Sequence, residues 1–299
     1  MTTPESKEEK LPKHYFEDND RDLLLLPPLK RAAYSDRMAW VLASISELAY
    51  DRFEEGGQAR ADLLEKLTSG GFELLDEFND PANDTQALLV KNTRNNYAVL
   101  AFRGTEVSKK RDIANDAKVL KVPDFSGKVK LHRGFKQAFE DNVQGKIETS
   151  LTEKAKDMPL YVTGHSLGAA LATVAVRHLE KKKIFKDQIA ACYTFGSPRV
   201  GNKALDEALK SPIYRVVNTT DIVTMVPSVG YRHVGDERFL DRQGVRMFRS
   251  IPFIERLLLV LMSALLIFAP LVTDHAIKDY RRKLENVARL RNEERRMRG

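Results

Sequence analysis

Residues 160–172 constrain this chain more than any other stretch. A β-rich run, Leu160–Thr163, enters Gly164-His165-Ser166-Leu167-Gly168, and a helix opening with Ala169-Ala170-Leu171-Ala172 leaves it. A sharp strand-to-helix turn puts Ser166 at its tip, with the hydroxyl exposed and backbone passing close by. Gly164 and Gly168 suit that crowding because neither carries a Cβ. The helix start then aims unpaired N–H groups at any negative charge that forms beside the serine. This is the arrangement of an acyl-transfer nucleophile. The alternative is a tight structural turn whose serine only caps the helix.

The surrounding pattern sets the fold class. Ser35–Phe53 reads as an amphipathic helix, with Met38, Val41, Leu42, Ile45, Leu48 and Ala49 at helical spacing. Strands are expected at Phe72–Glu77, Ala87–Lys91 and Tyr97–Phe102, and the turn residues between them predict an antiparallel meander. A helix over about Phe135–Lys156 follows, then the Ser166 unit, strand Ala190–Phe195, helix Lys203–Leu209 and strand Tyr214–Asn218. Strand and helix alternating in this way imply an α/β sheet, parallel in its second half.

The chain has 299 residues and one cysteine, Cys192, so it forms no internal disulfide and suits a reducing compartment. Residues 1–33 form a polar stretch expected to be a loosely ordered tail, and no signal peptide is visible in it. A cytoplasmic protein is expected. Of the net charge of +7, most lies in residues 281–299, where eight basic residues face three acidic ones in a helix or tail. This tail has no aromatic residue to interleave with its charges, which argues against nucleic acid and for an anionic membrane surface. Nothing indicates a metal or cofactor.

A serine hydroxyl needs a general base, and the base needs an acid to orient it. The acid candidate is Asp221, just beyond the C-terminal end of the strand Tyr214–Asn218, where ligands gather in open α/β sheets. A turn aspartate bonding its own backbone is the plainer alternative. For the base, His178 lies in the helix leaving the elbow and points away from it. His233, in a run that reads as a strand, and His275, at the start of a polar segment, both stay open on spacing alone.

Taken together, these residues resemble the class 3 lipase family, α/β-hydrolases that include the fungal triacylglycerol lipases. The resemblance runs over roughly 34–280 and rests on ordered motifs. They are Phe102-Arg103-Gly104-Thr105, His132-Arg133-Gly134-Phe135, the elbow Thr163–Leu171, Tyr193–Asn202, Asn218–Pro227, and Asp274-His275 with Tyr280. It implies an α/β-hydrolase fold: a mostly parallel sheet with an antiparallel N-terminal meander and helices on both faces. It also implies Ser166 as nucleophile, Asp221 as acid and His275 as base, with His233 non-catalytic. The N–H groups of Thr105 and Leu167 would form the oxyanion hole. The implied activity is hydrolysis of lipid carboxylic esters such as acylglycerols. A phospholipase A or a short-chain carboxylesterase is the nearest alternative, and an inactive membrane-tethered binding module the more distant one.

Two stretches depart from the family pattern. Where a lid helix is expected, Glu106–Ala117 offers only Val107 and Ile113 as apolar contacts. Residues 251–272 are an apolar insertion, and in Leu257–Val272 only Ser263 is polar. Those sixteen residues reach about 24 Å as a helix, short of the roughly 30 Å hydrocarbon core. A single crossing would also put Ser166 and His275 on opposite sides of the bilayer. Interfacial contact or a dip returning at Pro270, with the flanking arginines on phosphates, is therefore expected, or burial as a core or dimer-interface helix, a true span being compatible only with a non-catalytic protein. Oligomeric state is left open.

Overall fold

The computed structural model describes residues 15–16, 23–24, 32–82, 84–104, 120–141, 143–182, 184–185, 187–219, 221–227, 230–244, 247–248 and 275–298. The lid stretch Glu106–Ala117 and the apolar run 251–272 lie outside the described residues.

Helix α1 (Asp36–Leu48) starts where the Ser35 side chain accepts the Met38 N–H, an ordinary N-cap. Helix α2 (Gly57–Ser69) has no counterpart in the sequence reading, since Leu63 and Leu67 alone are buried and leave little periodic signal. Strands β1 (Phe72–Asp80), β2 (Thr85–Asn92) and β3 (Tyr97–Phe102) form the expected meander. A two-stranded ribbon, β4 (Lys121–Pro123) with β5 (Lys130–His132), precedes helices α3 (Arg133–Glu140) and α4 (Gln144–Lys154). The sequence predicts one helix there. Phe135, Phe139, Val143, Ile147 and Leu151 are all buried at a constant spacing of four, so the periodicity runs straight across the break.

Strand β6 (Leu160–His165), helix α5 (Leu167–Leu179), strand β7 (Ile189–Phe195), helix α6 (Lys203–Ala208) and strand β8 (Ile213–Asn218) follow the alternation. Strands β9 (Asp236–Leu240) and β10 (Met247–Phe248) and helix α7 (Ile277–Arg298) complete the described elements. The described sheet has the order β1-β2-β3-β6-β7-β8-β9-β10. From β3 to β9 its neighbours are parallel, and both flanks are antiparallel.

The central strands are apolar on both sides because both faces are covered, as parallel sheets require. Side chains alternate between two cores. Leu88, Val90, Val99, Ala101, Tyr161, Tyr193 and Phe195 meet α1 and α7 on one face. Ala87, Leu89, Ala98, Leu100, Leu160, Val162 and Cys192 meet α3, α4 and α5 on the other. The expected hydrolase architecture, with helices on both faces, is therefore present.

Both chain ends engage the fold more than their composition suggests. Phe16, Leu23, Leu24 and Ala32, inside the stretch expected to be a loose tail, belong to the core beside α1. Phe16 packs edge-on to Trp40 and lies against Phe72, and the Tyr15 hydroxyl donates to the Ser44 carbonyl. At the other end, basic residues of 281–299 are engaged in ion pairs within the fold. Arg281 meets Glu47, Arg282 and Lys283 meet Asp279, Arg289 meets Glu285, and Arg291 meets Asp36. Those pairs also show that α7 runs antiparallel to α1. Its first turns lie near the C-terminal ends of the parallel strands, and Arg291 lies at the opposite end.

Phe16 is 4% exposed, so truncating it leaves a cavity against Trp40 and Phe72. Phe16→Ala is expected to lower the unfolding free energy by about 3 kcal/mol in urea titration. A change under roughly 0.5 kcal/mol would mean that this N-terminal stretch is not part of the cooperative fold.

Candidate active site

Ser166 sits between β6 and α5 with φ 59° and ψ −125°, a backbone region that disfavours side chains. Tight packing over-determines it. A Cβ on Gly164 would run into the backbone of Gly168 and Ala169, and one on Gly168 into the backbone of Phe102 and Arg103. The two glycines thus let the elbow press against the end of β3, the neighbour of β6 in the sheet. The turn is held further by the Ser166 N–H, which donates to the Phe195 carbonyl at 2.9 Å. The Ser166 side chain makes no capping bond to α5, which removes the helix-cap alternative.

Instead, Ser166 Oγ lies 2.8 Å from His275 Nε2. On the far side of the ring, His275 Nδ1 is 2.8 Å from Asp221 Oδ2 and 2.9 Å from Oδ1. Ser166, Asp221 and His275 are 2%, 2% and 3% exposed, so the chain of groups is shielded from water. With a carboxylate at Nδ1, that nitrogen carries the proton, and the Nε2 lone pair faces the serine hydroxyl. Asp221 also accepts the Val223 N–H at 3.0 Å, starting the short 3-10 helix Ile222–Met225. The turn-aspartate role and the contact with His275 therefore coexist. The Tyr280 hydroxyl donates to Asp221 Oδ2 at 2.6 Å and itself accepts the Asn218 N–H at 3.0 Å.

The competing histidines are elsewhere. His178 Nε2 is 2.6 Å from Glu148 Oε1 on the outer side of α5. His233 is half-buried and precedes β9, which begins only at Asp236; the strand expected through His233 is an isolated bridge between Arg232 and Gly201. Leu167 is the first residue of α5, so its N–H has no helical carbonyl to meet and is left beside Ser166. Thr105 lies outside the described residues. Gly104 just before it is described, and a Cβ there would come within 3.2 Å of Ser166 Cβ.

Several contributors carry no sequence signal of their role. His165 Nε2 is 2.6 Å from the His275 carbonyl, which only accepts, so this nitrogen carries the proton. Its Nδ1 then accepts from the Tyr50 hydroxyl at 2.7 Å. This relay ties the turn holding His275 to the turn that follows α1, through a residue of the elbow itself. Gly196, at φ 59°, leaves room where a Cβ would press on Asp221 Oδ2 and the His275 ring. The Phe195-Gly196 pair is visible in the sequence as part of a motif, but the Tyr50 and His165 contacts span 115 and 110 residues and leave no local pattern.

The family model for class 3 lipases matches residues 99–231. A lipase of Rhizomucor miehei is 32% identical over 168 residues, covering 52% of this chain and 45% of that protein. A secreted mono- and diacylglycerol lipase of Fusarium solani is 38% identical over 119 residues, 37% of this chain and 34% of that one. Phospholipase A1-II 1 of rice is 39% identical over 98 residues, 31% of this chain and 23% of that one. The chain thus spans less than half the length of these curated relatives. Among solved structures, the Rhizomucor miehei triacylglyceride lipase superposes with a TM-score of 0.60 at 22% identity, covering 72% of this chain and 84% of that one. A mutant form of MDLA from Penicillium cyclopium gives 0.58 at 27% identity, covering 69% and 79%. The resemblance to class 3 lipases read from the motifs is shown, and the fold is that of the fungal lipases.

Asp279, next to Tyr280, supplies a pH prediction. Burial works against its charged form, but hydrogen bonds from Arg282 and Asn218 and the Lys283 cation outweigh that and hold its carboxyl below the ordinary 3.8. A lowered carboxyl stabilises the fold above the unfolded value, and the gain is lost as pH falls through the lowered one. Asp279→Asn is therefore expected to be less stable than the parent at neutral pH, with the gap closing below pH 3.8. Chemical denaturation across that range checks it, and a gap independent of pH would contradict it.

Proposed function

We propose that this chain, a relative of the class 3 lipases with their fold, is a serine hydrolase acting on carboxylic esters of lipids, acylglycerols first among them. One observation carries the proposal: the Ser166 hydroxyl meets the free nitrogen of a histidine whose other nitrogen is held by a buried carboxylate. In this reading Ser166 is the nucleophile, His275 the base and Asp221 the acid that holds its tautomer. His275 takes the Ser166 proton as the hydroxyl attacks the ester carbonyl, then returns it to the leaving alcohol. Water, deprotonated by the same ring, releases the fatty acid and restores Ser166. The N–H groups of Leu167 and Thr105 are assigned to the oxyanion. Removing one such donor typically costs about 2.7–4 kcal/mol of transition-state stabilisation.

The rice relative is named as a phospholipase A1, which keeps phospholipids as a second substrate class. A short-chain esterase and an inactive binding module are the remaining alternatives. We place the protein at a membrane surface in the cytoplasm, with residues 251–272 as the contact and the lone buried Cys192 in support of a reducing compartment. None of the described helices is long and apolar enough to cross a membrane. The internal pairs of Arg281, Lys283, Arg289 and Arg291 leave α7 a smaller part in that contact than its formal charge suggests.

One panel of emulsified glyceride, phospholipid vesicle and short soluble ester tests the proposal. Turnover highest on glycerides and rising at the interface is expected. Preference for the soluble ester with no rise at an interface would make the protein an esterase. Ser166→Ala and His275→Ala are each expected to lower kcat by roughly 10³-fold or more, and His233→Ala to leave kcat within about twofold. Full activity in His275→Ala would overturn the assignment of the base. Vesicle flotation, comparing the parent with a variant lacking 250–272, is expected to show binding lost with the segment.

A further inference from the structure

Below Asp221 lies a charged group that the chemistry just described does not use. Lys283 is 2% exposed, on the second turn of α7. Its ammonium is 2.7 Å from Asn218 Oδ1, 3.3 Å from Thr219 Oγ1 and 3.2 Å from Asp279 Oδ2. Lysine is rarely buried to this degree unless paired, because its charge must leave water. The partners are not scattered core groups. Asn218 and Thr219 are the last residue of β8 and the one after it, and they launch the loop that carries Asp221.

That launch is unusually constrained. Thr219 has φ 34°, a conformation unfavourable for a β-branched residue, so something must hold it. Asn218 has every polar group engaged. Its N–H donates to the Tyr280 hydroxyl, its carbonyl accepts the Asp221 N–H at 2.9 Å, its side-chain amide donates to Asp279, and its side-chain oxygen accepts from Lys283. Asp279, Tyr280 and Lys283 lie within one turn of α7 and grip the loop together. Tyr280 bonds the Asp221 carboxylate itself. Gly244 covers the other side, where a Cβ would run into the Lys283 stem.

We propose that Lys283 is a positioning residue for Asp221. Its buried ammonium fixes Asn218 and Thr219, so that the carboxylate arrives between Tyr280 and His275 at the geometry that orients the ring. The inference rests on the reading of Asp221 as the catalytic acid. It makes the start of α7 part of the active-site scaffold and takes one of the eight basic residues out of any surface patch.

The test uses the full chain with Lys283→Met, similar in length and uncharged, and Lys283→Met/Asp279→Asn, which leaves no buried charge unpaired if the single variant folds poorly, since Arg282 is exposed to water. Each is assayed on the best ester of the panel at a temperature well below its own Tm, beside Ser166→Ala and Tyr280→Phe. The expected result is kcat lowered roughly ten- to hundredfold with KM unchanged, the size that a small misplacement of a catalytic group produces. The rate of inactivation by a fluorophosphonate is expected to fall by the same factor. Combining Lys283→Met with Tyr280→Phe is expected to cost less than the product of the two losses, since both act through Asp221. A folded Lys283→Met protein with kcat within about twofold of the parent overturns the proposal, as do losses that multiply in full. If Ser166→Ala keeps its turnover, the triad reading itself fails and this inference falls with it.

Discussion

The contact between His275 and Asp221 is the interaction on which the rest of this structure depends. The Asp221 side chain is fully shielded from solvent, and a buried carboxylate without partners is strongly destabilising. Among the described residues three donors meet it: the His275 ring, the Tyr280 hydroxyl and the Val223 N–H. Two of the three come from the last part of the chain. The fold therefore satisfies that carboxylate only when the segment from His275 to Tyr280 has closed onto the end of β8. The same closure buries Tyr280, Leu284, Val287 and Ala288 against the core shared with α1. Hydrophobic burial along α7 and charge satisfaction at its start thus reinforce one another.

The nucleophile end of the site is built by a different physical means. Steric limits decide there. Parallel pairing of β3 with β6 brings Phe102 level with Gly164, and the glycines of the elbow let backbone meet backbone at that point. Ser166 is left in a conformation it would not choose, with its hydroxyl free of the helix that follows. The elbow and the turn holding His275 are joined by the Ser166–His275 bond and by the bond of His165, itself held by Tyr50, to the His275 carbonyl. Local steric strain on one side and long-range hydrogen bonding on the other converge on one imidazole.

This division explains how much is legible in the sequence. The elbow, the meander and the parallel strands are readable because each is set by neighbours a few residues apart. Ser166, His275 and Asp221 stand out as candidates, but choosing His275 over His233 needs the resemblance, since a histidine's surroundings are not written in its own neighbourhood. The break between α3 and α4 is invisible because the buried positions keep their spacing across it. Lys283 reads as surface charge because a sequence shows a cation and not its partner. The opposite error arises at the N-terminus, where a polar average conceals Phe16 and its place against Trp40. Tyr50 carries no pattern at all, and Asn218 opens a motif that does not tell what it holds; their roles exist only once distant elements have met.

In the proposed reaction one serine, activated through one histidine, carries the chemistry. The most direct measurement is mass-spectrometric mapping of a fluorophosphonate adduct on the purified full chain. One adduct per chain is expected, on Ser166, forming far more slowly in His275→Ala at unchanged stability. An adduct on another residue, or labelling of Ser166 at the parental rate without His275, would contradict it.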